Sequence, residues 1–155
     1  MEENYRFFWG GIYSNWFRCK FTVDGIEYNC SEQYMMHKKA LLFNDLETAQ
    51  WIIESGSPRE QKALGRKIKG YDQTIWDQVK YNIVKDGCRA KFEQNYALLK
   101  QIREDRGKIL VEASPEDAIW GIGFDEDNAH QNKDKWGQNL LGQLLTELSV
   151  ELSLK

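Results

Sequence analysis

The chain has 155 residues, a formal net charge of −3 and a pI of about 5.5. This length predicts one domain with a real core, and the acidic balance excludes a protein that binds nucleic acid through its overall charge. We expect a soluble, cytoplasmic protein with no membrane partner, since the sequence has neither an apolar run of about 18 residues nor a signal peptide. The three cysteines, an odd number, argue against a disulfide framework.

The first part of the chain predicts a strand over residues 5–9 and an aromatic loop over 12–17. Asp24-Gly25 is typical of a two-residue turn, which predicts a hairpin over 18–30. That register pairs Phe21 with Tyr28 and places the thiols of Cys19 and Cys30 side by side. We expect both thiols to be reduced, as small core residues.

Residues 31–40, SEQYMMHKKA, begin a helix that we place at 32–43, with Ser31 as its N-cap. Glu32 and Lys39 are seven residues apart, so they project within roughly 20° of each other, about 10 Å apart along the axis. A carboxylate and an amine in one pocket suit chemistry at an electrophilic carbon, such as a sugar anomeric centre. The alternative interpretation is a solvated charged stripe. Apolar neighbours on the same face favour the functional interpretation, because a half-buried charged pair is costly.

The rest of the chain is predicted to be mainly helical. A helix over 46–54 precedes the capping box that begins at Ser57, and the helix that follows runs to about residue 68. Asp72 starts a long helical region to about residue 103, with a kink at Gly87. The remaining elements are a strand over 108–113, an acidic surface loop or lid over 124–135, and a last helix to about residue 152.

One local cluster of cations stands out against the acidic background. It is either a solvated helix face or a site that captures phosphate. Its members are Arg59, Lys62, Arg66, Lys67 and Lys69.

Three short segments pair a Trp with an Asn or Asp, two of them beside a glycine: residues 14–16, 117–121 and 136–139. Glycine allows close backbone approach, Trp gives a flat stacking wall, and Asn or Asp binds hydroxyls or ring nitrogens. Together the segments favour a nucleoside or ribose pocket over the alternative of core tryptophans and turn glycines. No metal-ligand pattern, dinucleotide fingerprint or serine elbow is present, so we expect no metal and no cofactor. His37 and His130 are expected to be ordinary surface residues.

From Phe8 to about Leu152 the sequence resembles the YbiA-like, or NADAR, family of N-glycosidases. The order and spacing of many short motifs carry the resemblance. They are Ser14-Asn15-Trp16; Asp24-Gly25; Ser31-Glu32-Gln33-Tyr34 with Lys39; Leu64-Gly65-Arg66; Trp76; Arg89-Ala90-Lys91-Phe92-Glu93-Gln94-Asn95; Leu110-Val111-Glu112; Asp117-Ala118-Ile119-Trp120-Gly121; and Asn139-Leu140-Leu141-Gly142.

The resemblance implies a single domain over residues 1–155, mainly α with a short β-hairpin and a few short strands. It implies a hydrolase of N-glycosyl bonds that cleaves ribose from nitrogen. The substrate is then either a ribosylaminopyrimidine phosphate of the riboflavin pathway or ADP-ribose attached to guanine bases of nucleic acid.

The resemblance also places functional roles on residues of this chain. We expect Lys39 to form a Schiff base, with Glu32 and Asp117 as candidate acids or bases. Burial and the adjacent Lys38 should lower the pKa of the Lys39 amine, and Glu32 should raise it. The expected binding residues are Asn15 and Asn139 for hydroxyls, Arg66 for phosphate, and Trp120 with Gly121 against the base. Trp16 is expected to form a pocket wall and Trp76 to support the pocket.

Two other classes compete with the enzyme. A module that binds ADP-ribose or a nucleotide without cleaving it would keep the aromatic–Asn pocket, but it would not need Glu32 and Lys39 together. A helical protein-interaction domain has only composition in its favour. The sequence does not indicate an oligomeric state.

Overall fold

The computed structural model describes residues 3–154, which form two compact units. The helical unit comprises residues 15–95, and the terminal unit comprises residues 3–14 with 96–154. Seven α-helices and four short strands lie in the described range, so the predicted mainly α fold with a short hairpin is confirmed. In chain order the elements are β1 (Tyr5–Phe8), β2 (Phe21–Val23), β3 (Ile26–Tyr28), α1 (Ser31–Leu42), α2 (Leu46–Glu54), α3 (Pro58–Gly65), α4 (Gln73–Glu93), α5 (Tyr96–Glu104), β4 (Ile109–Glu112), α6 (Glu126–Ala129), a 3-10 helix (His130–Lys135) and α7 (Leu140–Glu151).

The hairpin of the helical unit has the predicted register, with Phe21 opposite Tyr28. Both turn residues adopt positive φ, 51° at Asp24 and 79° at Gly25, as a tight two-residue turn requires. Phe21 and Tyr28 are buried and stack at 5.6 Å, and Tyr34 of α1 meets the Tyr28 ring edge-on at 5.0 Å. This aromatic cluster fixes the hairpin against α1.

Helices α2 and α3 begin where the sequence predicts. The Asp45 side chain caps α2 by accepting from the Thr48 amide, and the Ser57 hydroxyl caps α3 by accepting from the Glu60 amide. Helix α3 ends at Gly65, earlier than the predicted residue 68, and a turn follows directly after it.

Helix α4 is shorter than the single long helical region that was predicted. It runs through Gly87 and ends at Glu93, and α5 is a separate helix that ends at Glu104. The predicted helical region to about residue 103 is therefore present, but it is interrupted between Glu93 and Tyr96. The side-chain amide of Gln94 pairs with both the N–H and the carbonyl of Thr22, and the Asn95 amide donates to Lys20 and Lys91 carbonyls. These bonds to the hairpin replace the hydrogen bonds that a continuing helix would make.

The terminal unit is built on a parallel pair of strands, with Tyr5 opposite Ile109 and Phe8 opposite Glu112. Helix α7 packs on β4 through a row of fully buried leucines. They are Leu141, Leu144, Leu145 and Leu148.

The carboxylate of Asp105, fully buried just after α5, fastens the first residues of the terminal unit. It accepts from the Tyr13 hydroxyl, from Arg6 at 3.1 Å, from Lys108 at 3.1 Å and from Gln101 at 3.2 Å. Burial works to raise the pKa of this carboxyl, but the hydrogen bonds from Tyr13 and Lys108 hold it below its usual value.

Residues 124–135 lie mostly at the surface, as predicted, but they form two short helices rather than a loop. Asp125 caps α6, and the 3-10 helix continues it to Lys135. The His130 ring meets Phe7 edge-on at 5.3 Å, and the Trp136 indole donates to the Ala129 carbonyl at 2.8 Å. The sequence did not predict these short helices because the aromatic residues that anchor them lie at the end of the polar run and on a distant strand.

Two further expectations concern titratable side chains. His37 is not a surface residue: it is 5% exposed, and its Nδ1 is hydrogen-bonded to the Tyr28 hydroxyl at 2.9 Å. Cys19, Cys30 and Cys88 carry free thiols, and burial raises the pKa of Cys30 to about 11.

Between residues 3 and 154, no helix has the length and apolar character needed to cross a membrane.

Candidate active site

Helix α1 carries Glu32 in its first turn and Lys39 in its last, both on the face that the spacing predicted. Glu32 is 5% exposed, and its Oε1 accepts from the Trp16 indole at 3.2 Å. Lys39 is half-buried, and its pKa responds to the Glu32 charge. The solvated-stripe interpretation is therefore wrong, because the carboxylate is buried and the two charges influence each other.

The Lys39 amine lies in a frame of one carbonyl and two aromatic rings. Nζ donates to the Gly65 carbonyl at 3.2 Å and lies 4.5 Å from the centre of the Tyr71 ring and 5.6 Å from that of Trp76. Trp76 is buried, whereas Tyr71 is 40% exposed. The sequence did not predict the contacts of Lys39 with Tyr71 and the Gly65 carbonyl; the one available signal was that Gly65 lies within the cation cluster and Tyr71 shortly after it.

Burial lowers the pKa of the Lys39 amine, Glu32 raises it and Arg66 lowers it, with a net lowering. The expected like charge was Lys38, and that expectation is wrong. The Lys38 amine lies over the Tyr34 ring at 5.6 Å, while Arg66, the exposed cap residue at the end of α3, faces Lys39. Adjacent residues of a helix point about 100° apart, which explains the exchange.

Asn15 holds the start of α1. Its side-chain oxygen accepts from the Ser31 hydroxyl at 2.8 Å, and its carbonyl accepts from the Glu32 amide at 2.9 Å. The predicted N-cap role of Ser31 is wrong: Cys30 occupies that position, with no side-chain capping bond. Asn15 therefore couples the aromatic loop, including Trp16, to the turn of helix that carries Glu32.

A second lysine was not singled out by the sequence analysis. Lys91 of α4 has 0% exposure, and its Nζ lies 5.7 Å from the Phe17 ring centre. Burial lowers its pKa, while the thiols of Cys88 and Cys19 raise it. This buried lysine therefore forms part of the packing between α4 and the aromatic loop.

The remaining candidates lie in the terminal unit. Asp117 Oδ1 accepts from the amides of Ile119 and Trp120 at 2.8 and 2.9 Å, so this carboxylate shapes the turn that presents Trp120. A side chain at Gly121 would collide with the carbonyl oxygens of Glu112 and Asp117, so only glycine fits there.

Asn139 is the left-handed residue before α7, with a φ of 51°. Its Oδ1 accepts from the Glu112 amide at 2.9 Å, and its Nδ2 donates to the Leu110 carbonyl at 3.1 Å. Both polar atoms of the amide thus fasten the start of α7 to β4, and its predicted role toward a ribose hydroxyl stays a prediction.

The structure thus brings together the candidates of the helical unit, namely Asn15, Trp16, Glu32, Lys39, Arg66 and Trp76. Within the terminal unit, Asp117, Trp120 and Gly121 share one turn, and Asn139 is joined to it through its backbone N–H, which donates to the Gly121 carbonyl at 3.0 Å.

The sequence model of the NADAR domain matches residues 7–153. The chain belongs to the NADAR family. It is 43% identical over 147 residues to N-glycosidase R617 of Acanthamoeba polyphaga mimivirus, covering 90% of this chain and 86% of that protein. N-glycosidase YbiA of Escherichia coli K12 is 31% identical, over 94% of this chain and 83% of YbiA.

Structure and a more distant relative agree with this assignment to the NADAR family. The NMR structure of E. coli YbiA superposes with a TM-score of 0.82 at 29% identity, over 99% of this chain and 88% of that one. Riboflavin biosynthesis protein VVA0006 of Vibrio vulnificus is 28% identical over 92% of this chain, which spans only 35% of that longer protein.

Proposed function

We propose that this NADAR protein is an N-glycosidase that hydrolyses the ribose–nitrogen bond of a ribosylaminopyrimidine phosphate of the riboflavin pathway. The observation that carries the proposal is the pair on α1, in which the carboxylate of Glu32 is buried, the Lys39 amine is half-buried with a lowered pKa, and each charge influences the other. The names of the relatives support the same activity, since R617 and YbiA are named N-glycosidases and VVA0006 is named for riboflavin biosynthesis.

In this proposal the neutral Lys39 amine attacks the anomeric carbon. The carbon–nitrogen bond to the base breaks, and its electron pair leaves with the base. The carboxylate of Glu32 or Asp117 accepts a proton from the attacking nitrogen and passes it to the departing base. The nitrogen electron pair then forms the C=N bond of a Schiff base as the ring oxygen leaves the anomeric carbon, and the ring oxygen takes the second proton of that nitrogen. Water adds to the imine carbon and expels the amine, which regenerates Lys39. A lowered lysine pKa favours this route, because only the neutral amine is a nucleophile.

The binding roles that we propose are those that the sequence predicts. Arg66 is exposed, acts on the Lys39 amine and suits the phosphate; Trp16 forms a wall of the pocket, and the buried Trp76 supports it. Asn15 and Asn139 stay the proposed partners of ribose hydroxyls, with Trp120 and Gly121 against the base.

A second substrate class, ADP-ribose on guanine bases, has its own support. All five members of the cation cluster are exposed, as contact with a phosphate backbone requires. In both cases we expect no cofactor, and we propose a cytoplasmic location.

The test measures by chromatography the release of free base from two substrates, the ribosylaminopyrimidine phosphate and ADP-ribosylated guanine DNA. We expect Lys39→Ala and Glu32→Gln to lower turnover at least about a hundredfold, because each removes a reacting group. Thermal midpoints should stay within a few degrees. The matched controls are Lys38→Ala, the next residue of the same helix, and Glu47→Gln, an exposed carboxylate of α2.

Each result decides between hypotheses. Borohydride trapping with substrate should add one sugar mass to wild type and none to Lys39→Ala. A folded Lys39→Ala protein with normal turnover would eliminate the Schiff base. Binding of either substrate without release of base, by wild-type protein, would establish a binding module instead.

A further inference from the structure

Tyr71 follows the turn at Gly70, which has a φ of 79°. Its ring packs edge-on against Phe43 at 5.3 Å, and its hydroxyl donates to the Gln73 side chain at 2.7 Å. The ring is therefore held from both ends, although 40% of the residue is exposed.

This fixed ring presents its π system to one atom, the Lys39 Nζ at 4.5 Å. A cation within about 6 Å of a ring centre is attracted by the ring quadrupole. The Gly65 carbonyl at 3.2 Å and the Trp76 ring at 5.6 Å complete the surroundings of the amine. Both groups favour positive charge on the nitrogen, as the Tyr71 ring does.

We propose that Tyr71 is a positioning residue of the candidate site: its ring holds the Lys39 nitrogen beside the Gly65 carbonyl and favours the cationic form of that nitrogen. The link to catalysis rests on the proposed function, but the effect on the amine does not. The Schiff base that Lys39 would form is also cationic in its reactive form. The same ring would therefore attract the nitrogen of both the protonated amine and the intermediate.

Other charged residues act on the Lys39 amine and on Tyr71, and they must stay unchanged in the test. Glu32 on α1 and Arg66 after α3 act on the Lys39 amine, while Asp77 and Asp72 act on Tyr71 itself. Burial and these two carboxylates raise the pKa of the Tyr71 phenol, so the ring stays neutral in the working pH range.

The test is the rate of acetylation of Lys39 against pH. The whole folded protein is labelled, and acetylation of Lys39 is then read from its peptide by mass spectrometry. The plateau of this curve reports access to the amine, and its midpoint reports the pKa, so the two effects separate. The variants are Tyr71→Leu, which keeps apolar bulk without a ring, and Tyr71→Phe, which keeps the ring without the hydroxyl. Tyr96→Leu, at a tyrosine that is 81% exposed on α5, is the matched control.

We expect the Tyr71→Leu midpoint to move to lower pH, so that the plateau-normalised rate at pH 7 rises about threefold to tenfold. Tyr71→Phe and Tyr96→Leu should follow wild type. A Tyr71→Leu midpoint that stays in place or moves to higher pH would overturn the proposal.

Activity gives an independent second arm. If base release occurs, the acidic limb of its rate against pH should move in Tyr71→Leu by the same amount as the labelling midpoint, with the Phe variant unchanged. If wild type releases no base, the proposed function fails, and the labelling curves still decide whether Tyr71 controls the amine.

Discussion

His37 shows how burial changes the chemistry of a residue whose sequence context is polar. It lies between Met36 and Lys38, and nothing in the spacing tells which face of α1 the hairpin covers. In the fold its ring is covered by β3, and burial, with a smaller effect of Lys38, lowers its pKa to about 4. The surface prediction failed because burial here is set by packing between elements.

This shift predicts a pH dependence of folding. The unfolded chain binds a proton at His37 near pH 6.5, while the folded protein does so only near 4. Stability contributed by the neutral ring is therefore complete above pH 6.5 and is lost as the pH falls toward 4, by about 3 kcal/mol at most. Urea unfolding between pH 7 and 4 measures this slope.

The matched variants are His37→Asn, whose amide can still reach the Tyr28 hydroxyl, and His130→Asn at an exposed histidine. We expect the first to flatten the slope in this window and the second to keep it. An unchanged slope in His37→Asn would show that other groups govern the acid sensitivity.

The site residues were predictable where spacing within one helix decides the geometry. Glu32 and Lys39 share a face because seven residues make nearly two turns. Tyr71 and the Gly65 carbonyl were missed because neither lies on α1: Gly65 ends α3, and Tyr71 lies between α3 and α4. The like charge that lowers the Lys39 pKa is that of Arg66 rather than the predicted Lys38 for the same reason, since Arg66 lies outside α1.

Among whole elements, helix starts were predicted more accurately than helix ends. Ser57 and Asp72 are capping side chains whose oxygen atoms accept from the expected amides, so local chemistry marks the start. The break after α4 depends on Gln94 and Asn95, which bind the hairpin about 70 residues earlier in the chain. No pattern within the helix records that contact.

Gly87 carries a testable consequence for α4. In an exposed helix, Gly→Ala would stabilise by up to about 1 kcal/mol. Here an added Cβ would overlap the ring of Tyr34, which is buried against Phe21 and Tyr28. We expect Gly87→Ala to destabilise by about 1–3 kcal/mol in urea unfolding.

The control for this change is Gly56→Ala, where a Cβ would meet no atom within 4 Å. It should stay within about 0.5 kcal/mol of wild type. A Gly87→Ala protein more stable than wild type would mean that the Tyr34 ring moves aside without cost.

For the molecule as a whole, composition and motif order predicted the helical class and the family, but they did not predict the partner of β1. A parallel pairing with a strand so distant in sequence leaves no local signal. We propose that the chain acts as one domain over 1–155, since the family match runs through both units. Met1, Glu2 and Lys155 lie outside the described residues.

A ligand that binds the folded chain should raise its thermal midpoint by mass action. We expect ribose 5-phosphate at about 100 times its Kd to raise the midpoint by several degrees. Ribose alone should act more weakly, and Arg66→Ala should reduce the difference between the two sugars. No shift with either sugar, in a protein that also releases no base, would favour the protein-interaction domain.

The pairing of β1 with β4 also bears on how the chain folds. The contacts of the hairpin and α1–α4 lie within residues 15–95, a continuous stretch that closes short loops. The β1–β4 ladder instead joins positions about 100 residues apart, which gives this unit a high contact order and a slower expected formation. During synthesis from the N-terminus, Tyr5–Phe8 emerges before Ile109–Glu112 and cannot complete its ladder until that strand has followed.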